Sequence, residues 1–446
     1  MNNLLPTVYF KYHSQNIDME TYNLINLIIN EAIDHNNKKF KSSNYYNYNL
    51  YNSDIIVNAN LYSDKPEILS AGGFSFLQSG LILDIENVNE IQGNWNKNLN
   101  INSDPIRAIT SSGDPRGYYS TVFPTLGYKF DNIPVCFSFP ILPSSVDISQ
   151  FYITLSNGII TKPIIFSFSP NSKLNEKQCI VICGYFNNKI TSGPNAIYPI
   201  SLEIVESSNG KRMKAIGPNG LYDMTGKSIT CSNPYTEPVK ILCVILTKYN
   251  LPKIYNYLGD TGCGASQIEE NNSPFILYGD DAQYRFRIFT SGGFSPNGID
   301  SMLPDKYDNY FYLQYKNPIT GEITDLVKSN YKYFFNCATK YVEIIGLADL
   351  GQKQNYYNEN NYIEDHDNQI DIVVKGDESI IKNIVSLVIP SIGKYTQFYN
   401  PGGPGPTPFE NVKYTIPSEY QVVEIKNNID NPNSVSWINT KQNPIN

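Results

Sequence analysis

The sequence predicts a mainly β protein, with an immunoglobulin-like β-sandwich in the middle, flanked by an N-terminal α+β segment and a C-terminal β-rich domain. From about residue 118 onward, short runs of alternating apolar and polar residues recur between turn signals, which is typical of strands. Asn157-Gly158 lies between two such runs and indicates a β-hairpin. The 35 Tyr and 21 Phe supply large side chains for the cores of such sheets.

The length of 446 residues allows two or three domains of about 150 residues each. We expect an Asn/Tyr-rich segment at 1–117, the sandwich at 118–250, the β-rich domain at 251–427 and a flexible tail at 428–446. The first segment contains one predicted helix over 18–34, because Asp18 can cap it and its apolar residues form one broad face. The tail is rich in Asn and Pro, which disfavours regular structure.

One predicted strand carries an unusual charge pattern. Over residues 282–290, Tyr284, Phe286 and Ile288 would point to one face, whereas Arg285, Arg287 and Phe289 would point to the other. This alternation predicts a half-buried strand, with one face against a core.

Charge and cysteine usage exclude several classes of partner. The net charge of −8 and the lack of a basic cluster argue against nucleic acid, whose binding requires neutralisation of phosphates. No apolar run reaches about 18 residues, so no membrane span is expected, and the polar start over 1–15 does not resemble a secretory signal. The seven cysteines are odd in number and scattered, which favours reduced core thiols and folding in a reducing cytosol.

Three motifs of catalysis or ligand binding fail on spacing. Gly226-Lys227-Ser228 resembles the end of a phosphate loop, but Leu221 stands where that loop needs glycine. The run 293–298 has one residue too many for a nucleophile elbow. Cys179 and Cys183 have no second closely spaced pair to complete a structural zinc site. These failures favour a protein that is not an enzyme.

The densest group of oxygen donors lies at residues 364–371. Asp365, Asp367, Asn368 and Asp371 could surround Ca²⁺, the one cofactor that the sequence suggests, although their spacing is not that of an EF-hand. The plainest interpretation is an acidic turn whose carboxylates cap backbone N–H groups before a strand at 370–375.

Two further interpretations of this acidic loop remain open. Asp365, Asp367 and Asn368 could hydrogen-bond a sugar, or Asp365 and Asp367 could act as acid and base of a hydrolase. The neighbouring carboxylates would favour the protonated form of His366, which we count as a candidate ligand-binding residue.

A second candidate ligand site is the run Gly113-Asp114-Pro115-Arg116-Gly117. Asp114 and Arg116 could form an exposed recognition loop in which the guanidinium binds a carboxylate or phosphate. The alternative is a simple turn at a domain boundary, because Asp-Pro starts turns and glycines bracket it.

Several stretches resemble an uncharacterised family found in giant viruses of the mimivirus type and in scattered microbial genomes. They are GDPRGYYS at 113–120, GPNGLYD at 217–223, GDDAQYRFRIFTSGGFSPNGID at 279–300, LADLG at 347–351, EDHDNQIDIVVKG at 364–376 and FYNPGGPGPTP at 398–408. The resemblance covers roughly residues 110–425 and leaves the first ~110 residues outside it.

The resemblance implies a virion-associated protein, made in the host cytoplasm and located in the outer layer or fibres of the particle. The family has no established enzymatic activity, so no catalytic residue carries over. Expected partners are other virion proteins or glycans, and an oligomer is compatible with this role. The alternative function is a Ca²⁺-dependent carbohydrate-binding protein that uses the acidic loop.

Overall fold

The computed structural model describes residues 8–10, 54–72, 99–100, 107–108, 131–168, 175–188, 190, 192–233, 235–249, 274–296, 302–335, 339–350, 368–399, 416–430 and 433–438. It is mainly β, as predicted, with 45% strand and 9% helix. The predicted helix over 18–34 lies outside these ranges.

The first half of the described chain contains fourteen strands, several of them very short. They are β1 (Val8–Phe10), β2 (Ile55–Asn60), β3 (Ile68–Ala71), β4 (Leu99–Asn100), β5 (Arg107–Ala108), β6 (Asp131–Phe137), β7 (Phe151–Leu155), β8 (Ile160–Thr161), β9 (Ile165–Ser167), β10 (Cys179–Gly184), β11 (Pro199–Ile204), β12 (Lys214–Gly217), β13 (Gly220–Asp223) and β14 (Ser228–Thr230).

The second half contains ten strands and three short α-helices. The strands are β15 (Ile241–Lys248), β16 (Tyr284–Thr290), β17 (Tyr312–Lys316), β18 (Ile323–Leu326), β19 (Lys332–Phe334), β20 (Tyr341–Ala348), β21 (Gln369–Gly376), β22 (Ile384–Ile389), β23 (Gln421–Asn427) and β24 (Ser434–Ile438). The helices are α1 (Pro274–Tyr278), α2 (Tyr307–Tyr310) and α3 (Glu378–Ile381). No helix in these ranges has the length and apolar character needed to cross a membrane.

Two four-stranded sheets, in the orders β3-β6-β10-β9 and β14-β11-β7-β8, form what we call the first module. Their pairing is antiparallel throughout. Alternate side chains of both sheets, such as Ile133 and Val135 on β6 and Phe151 and Ile153 on β7, share one buried core. The Asn157-Gly158 turn joins β7 to β8 with Gly158 at φ 83°, the left-handed conformation that glycine adopts easily.

A small sheet in the order β1-β24-β2 lies beside the first module. Ile56 and Ala59 of β2 and Val435 of β24 belong to the core of the first module, and Trp437 packs against it. Residues 434–438 fall within the predicted flexible tail. They instead form β24, the central strand of this small sheet, which pairs with β1 on one side and β2 on the other. Residues 55–71 of the predicted N-terminal segment likewise contribute strands to this part of the molecule.

A nine-stranded sheet, in the order β18-β17-β22-β23-β15-β16-β21-β20-β19, forms the second module. All its pairs are antiparallel except β15 with β23. One core receives side chains from both halves of the sheet, for example Phe286 on β16 and Leu313 on β17. The two terminal strands, β18 and β19, follow each other in the chain, so the sheet curls until it is nearly closed.

The two modules share one order of strands. Eight strands of each module occupy the same places when they are numbered in chain order. In the first module these are β3, β6, β7, β8, β9, β10, β11 and β14. Their counterparts in the second module, taken in the same order, are β15, β16, β17, β18, β20, β21, β22 and β23. The first module adds the hairpin β12–β13, and the second adds β19 at one end. Each of these eight strands of the first module therefore has a counterpart in the second.

The strand predicted over 282–290 is buried on both faces, so the half-buried prediction was wrong. All seven residues of β16 are buried, including Arg285 at 7% and Arg287 at 0% exposure. The face that carries the arginines is covered by segments of the first module, which sequence alternation alone cannot reveal.

Candidate functional site: a buried ion cluster between the modules

Arg287 lies at the centre of a group of charged side chains with no exposure to solvent. Its Nε and one terminal nitrogen donate to the two carboxylate oxygens of Asp371, each at 2.8 Å. The same terminal nitrogen donates to Asp349 at 2.6 Å. The other terminal nitrogen donates to Gln369 Oε1 at 3.1 Å and lies 3.6 Å from the carboxylate of Glu176. Arg287 therefore offers one positive charge to three carboxylates at once.

The sheet register brings Arg287 and Asp371 together. They stand directly opposite each other on the antiparallel strands β16 and β21, so their side chains leave the sheet on the same face. Arg285, two residues earlier on β16, reaches Asp371 at 3.3 Å and Thr247 at 3.0 Å. The fork of a guanidinium matches the two oxygens of a carboxylate, which makes this pairing directional.

Asp349 reaches the cluster from an unusual backbone conformation at the end of β20. Its φ is 57°, in the left-handed region that costs a non-glycine residue about 1 kcal/mol or more. The side chain is fully buried and ion-paired to Arg287. The charge-assisted hydrogen bond offsets the cost of the backbone conformation.

The first module contributes a buried polar segment just before β10. Asn175, Glu176, Lys177 and Gln178 are each at most 1% exposed, which is rare for four consecutive polar residues. The carbonyls of Lys177 and Gln178 accept hydrogen bonds from the backbone of Ile141 and Phe137. These bonds fix the segment to the first module, and Glu176 extends from it to Arg287.

Tyr62 is the second contribution of the first module. Its hydroxyl donates to Gln369 Oε1 at 2.8 Å, and its ring stacks on Phe289 at 4.3 Å. Lys426 Nζ donates to the Tyr62 carbonyl. Burial raises the pKa of Tyr62 well above its ordinary value, although Arg287 acts in the opposite direction.

Beside the ions, the contact between modules becomes apolar. Cys136 and Cys179 face each other across β6 and β10 with their sulfurs 4.0 Å apart, and Cys243 of β15 joins the same cluster. Burial raises the pKa of the Cys136 thiol well above its ordinary value. The five cysteines in the described ranges, Cys136, Cys179, Cys183, Cys231 and Cys243, are buried free thiols.

The structure describes two of the predicted site residues. Asp371 is fully buried and bound by both arginines. Asn368 is 3% exposed, and its Nδ2 donates to the Thr290 carbonyl at 3.0 Å and to Cys136 Sγ at 3.3 Å. Both therefore lie in the contact between the modules.

The other predicted site residues, Asp114, Arg116, Asp365, His366 and Asp367, lie outside the described ranges. Calcium binding by the acidic loop and ligand binding by Asp114 and Arg116 therefore stay predictions. In the ranges that are described, no three or more His, Cys, Asp or Glu side chains are grouped so that they could hold a metal ion.

Sequence reasoning missed Arg287, Asp349, Glu176 and Tyr62 as members of one cluster. One local signal existed, since two arginines on one face of an otherwise apolar strand need partners if that face is covered. The partners come from distant parts of the chain, 84 and 62 residues from Arg287 for Asp371 and Asp349. No local pattern specifies such pairs.

The charged side chains of the cluster are closed off from solvent. Arg287, Asp371, Asp349 and Glu176 each have a fully buried side chain, so no substrate reaches them in this conformation. Removal of one partner from a buried ion pair costs about 3–5 kcal/mol, because a charge is left without compensation. The cluster thus couples the position of one module to that of the other.

No protein-family model matches the chain, and neither a curated protein nor a solved structure matches it. The class of protein is therefore described by its structure: a mainly β protein with two cores joined across a buried ion cluster.

Proposed function

We propose that this protein is a non-enzymatic structural or surface component of a giant-virus particle, made in the host cytoplasm and incorporated into the virion. The observation that carries the proposal is the sealed ion cluster of Arg287, whose buried charged side chains come from both modules. A particle component has to keep one shape under load, and a directional ion cluster in a dry contact favours one arrangement. The resemblance to the giant-virus family supports the same role.

We also infer that both modules are immunoglobulin-like. Immunoglobulin sandwiches pair strands A, B, E and D in one sheet, and strands C, F and G with C′ in the other. The first module has β3-β6-β10-β9 and β14-β11-β7-β8, which supports an assignment as A-B-E-D and G-F-C-C′. The second module supports the same assignment with β15-β16-β21-β20 and β23-β22-β17-β18.

The surface of the second module supports contacts with proteins or glycans. Tyr312 and Tyr395 lie with ring centroids 6.0 Å apart on its outside, and Tyr420 nearby is 57% exposed. Tyrosine combines a large apolar ring with a polar tip, so it suits partly wet contacts between proteins or with sugars.

Quantitative proteomics of purified particles tests the proposal. We expect the protein to be enriched in gradient-purified virions relative to infected cytoplasm, and to resist a salt wash that removes adhering host proteins. Brief protease treatment of intact particles would then separate a surface position from an internal one. Absence from washed particles, with abundance in the cytoplasm, would refute a virion role.

A Ca²⁺-dependent carbohydrate-binding protein is the second candidate. One observation favours it: the acidic loop leads directly into Asn368, whose side chain and backbone are bonded to Thr290, so its end has a rigid base. Asp371 is already bound by Arg285 and Arg287, so calcium would depend on Asp365 and Asp367.

Calorimetry distinguishes this candidate from the structural role. If the loop binds calcium, titration with Ca²⁺ should release or absorb heat. The variant Asp367→Ala should abolish this heat, whereas the control Asp305→Ala, at an exposed position on another loop, should retain it. No heat at millimolar Ca²⁺, the range of the weakest extracellular calcium modules, rejects the candidate.

A further inference from the structure

Cys136 on β6 and Cys179 on β10 stand directly opposite each other on neighbouring antiparallel strands. The next pair along the ladder is hydrogen-bonded, because the Phe137 N–H donates to the Gln178 carbonyl at 2.7 Å. Hydrogen-bonded and non-hydrogen-bonded pairs alternate, so the two cysteines form a non-hydrogen-bonded pair, whose Cα atoms lie about 4.5 Å apart. A disulfide spans Cα separations of about 4.4–6.8 Å, so the backbone already has the spacing that the bond needs.

The two thiols already touch each other. Their sulfurs are 4.0 Å apart, and both side chains leave the sheet on the same face. A disulfide bond is about 2.05 Å long, so each sulfur has to move by about 1 Å, a change that side-chain rotation supplies.

Within the described ranges, this is the one pair of cysteines at opposed positions of a ladder. Cys183 stands opposite Asn132, and Cys243 stands opposite Phe289. Cys231 belongs to the core of the first module. The geometry therefore selects Cys136 and Cys179 from the described thiols.

The second module covers this pair. Cys136 and Cys179 are 0% and 1% exposed, and Cys136 Sγ lies 3.6 Å from the Thr290 carbonyl and 3.3 Å from Asn368 Nδ2. Burial raises the pKa of the Cys136 thiol well above its ordinary value, so the reactive thiolate is rare in the closed structure. Oxidation therefore requires that the second module be away from the pair, as it is during folding.

The contact between the modules accommodates an oxidised pair as well as a reduced one. Oxidation removes the S–H group with which Cys136 donates to the Thr290 carbonyl. That carbonyl keeps its hydrogen bond from Asn368 Nδ2 at 3.0 Å. Neither of these two buried groups is left without a partner, so the modules can dock over the disulfide.

We propose that Cys136 and Cys179 are a redox pair, which closes to a disulfide in oxidising surroundings before the second module docks and stays a dithiol in reducing surroundings. The oxidant is a low-molecular-weight disulfide such as oxidised glutathione. One cysteine loses its proton to solvent, and its thiolate attacks a glutathione sulfur and expels one glutathione thiolate. The thiolate of the other cysteine then attacks the protein sulfur of the mixed disulfide and expels the second glutathione thiolate. Two protein thiols are oxidised, and one glutathione disulfide is reduced to two thiols.

The bond has two consequences for the first module. The cysteines are 43 positions apart, and the loop between them contains β7, β8 and β9. Closing this loop restricts the unfolded chain, which stabilises the folded module. Once the modules dock, reductants are excluded as oxidants were, so the redox state that is set during folding persists. The inference goes beyond the proposed function and does not depend on it.

Refolding of the full chain from urea in a mixture of reduced and oxidised glutathione tests the inference. After alkylation of the remaining thiols, mass spectrometry of non-reduced peptides should find Cys136 linked to Cys179. Chain that is already folded when the same mixture is added should acquire the link at least ~10-fold more slowly. Cys179→Ala should abolish the link, whereas the matched control Cys183→Ala, on the same strand and equally buried, should retain it.

Urea unfolding provides a second measurement. Oxidised wild type should unfold at a higher urea concentration than reduced wild type, whereas Cys179→Ala should show no such difference. Each comparison is made within one variant, so a general destabilisation by the substitution does not affect it.

Two results would overturn the proposal. One is a refolded wild type in which Cys136 and Cys179 remain thiols, remain bound to glutathione or link mainly to other cysteines. The other is equally fast linkage in the folded chain, because the contact between the modules would then not control access to the pair.

Discussion

Arg287 on β16 and Asp371 on β21 stand opposite each other in an antiparallel pair and share two hydrogen bonds of 2.8 Å each, in a site with no solvent exposure. On the other side of the same sheet lie Phe286 and Ile288, in the core of the second module. One strand thus supplies the core of its own module through one face and the contact to the neighbouring module through the other.

Arg287→Met should destabilise the protein strongly. Asp371, Asp349 and Glu176 would lose their shared cation while remaining buried, so we expect a loss of about 3–5 kcal/mol in the free energy of unfolding. Urea unfolding followed by circular dichroism measures it.

Arg212→Met is the matched control for that measurement. Arg212 pairs with Glu206 and Asp223 at the surface, where its side chain is 54% exposed, and we expect little change. Similar losses of unfolding free energy in the two variants would show that burial does not increase the contribution of the Arg287 cluster to stability.

Tyr62→Phe should reveal the polar part of the contact between the modules. The change removes the hydroxyl that donates to Gln369 but keeps the ring stacked on Phe289, so no cavity forms. We expect a loss of about 1–2 kcal/mol in the free energy of unfolding, because Gln369 Oε1 loses the hydroxyl donor and keeps the hydrogen bond from Arg287. Tyr331→Phe, at a site 52% exposed, should have no effect, and an equal loss there would contradict the assignment.

Local features of the fold could be predicted from the sequence. The hairpin indicated by Asn157-Gly158 forms between β7 and β8, because alternation along a strand and a turn at its end are encoded in neighbouring residues. The Asn209-Gly210 turn also forms, with Gly210 at φ 80° and its N–H bonded to Ser207. The strands beside that turn pair elsewhere, since sheet register depends on the whole module.

The site could not be predicted, because its members are joined by the tertiary fold alone. Glu176 and Asp349 appear as ordinary surface carboxylates in the sequence, and both are fully buried in the structure. The strand at 434–438 was missed for a similar reason: its Asn-rich surroundings suggest a tail, whereas Val435 contacts the first core. In each case the burial depends on residues that are distant in the chain, which for Asp349 means Arg287 at 62 positions.

The buried thiols should react slowly with alkylating reagents. Burial raises the pKa of Cys231 from 9.0 to about 12, so its thiolate fraction at neutral pH falls about a thousandfold. Burial acts in the same direction on Cys136 and Cys243 in the contact between the modules. Peptide-resolved iodoacetamide labelling should show strong protection of these three in the native state and rapid labelling in urea.

The relative labelling rates of these thiols also show whether the two modules separate transiently. Cys231 belongs to the first core, whereas Cys136 and Cys243 lie between the modules. Faster labelling of Cys136 and Cys243 than of Cys231 would mean that the modules separate transiently, against the rigid contact inferred from the ion cluster. Arg287→Met should produce that faster labelling.

Glu378 at the start of α3 should link stability to acid pH. Lys248 Nζ lies 2.7 Å and Lys382 Nζ 2.8 Å from its carboxylate oxygens, and these bonds lower the pKa of Glu378 to about 2. A lowered pKa in the folded state stabilises the protein at pH values above the unfolded pKa of about 4.3, and this contribution disappears as the pH falls towards 2. Wild type should therefore exceed Glu378→Gln in unfolding free energy at pH 7, with the difference shrinking between about pH 4.3 and pH 2. Lys248→Met should make that loss smaller and complete at a higher pH, because the pKa of Glu378 in the folded protein rises towards the unfolded value when one of the two ammonium groups is removed. A stability difference that is constant from pH 7 to pH 2 would mean that Glu378 contributes through packing and not through its charge.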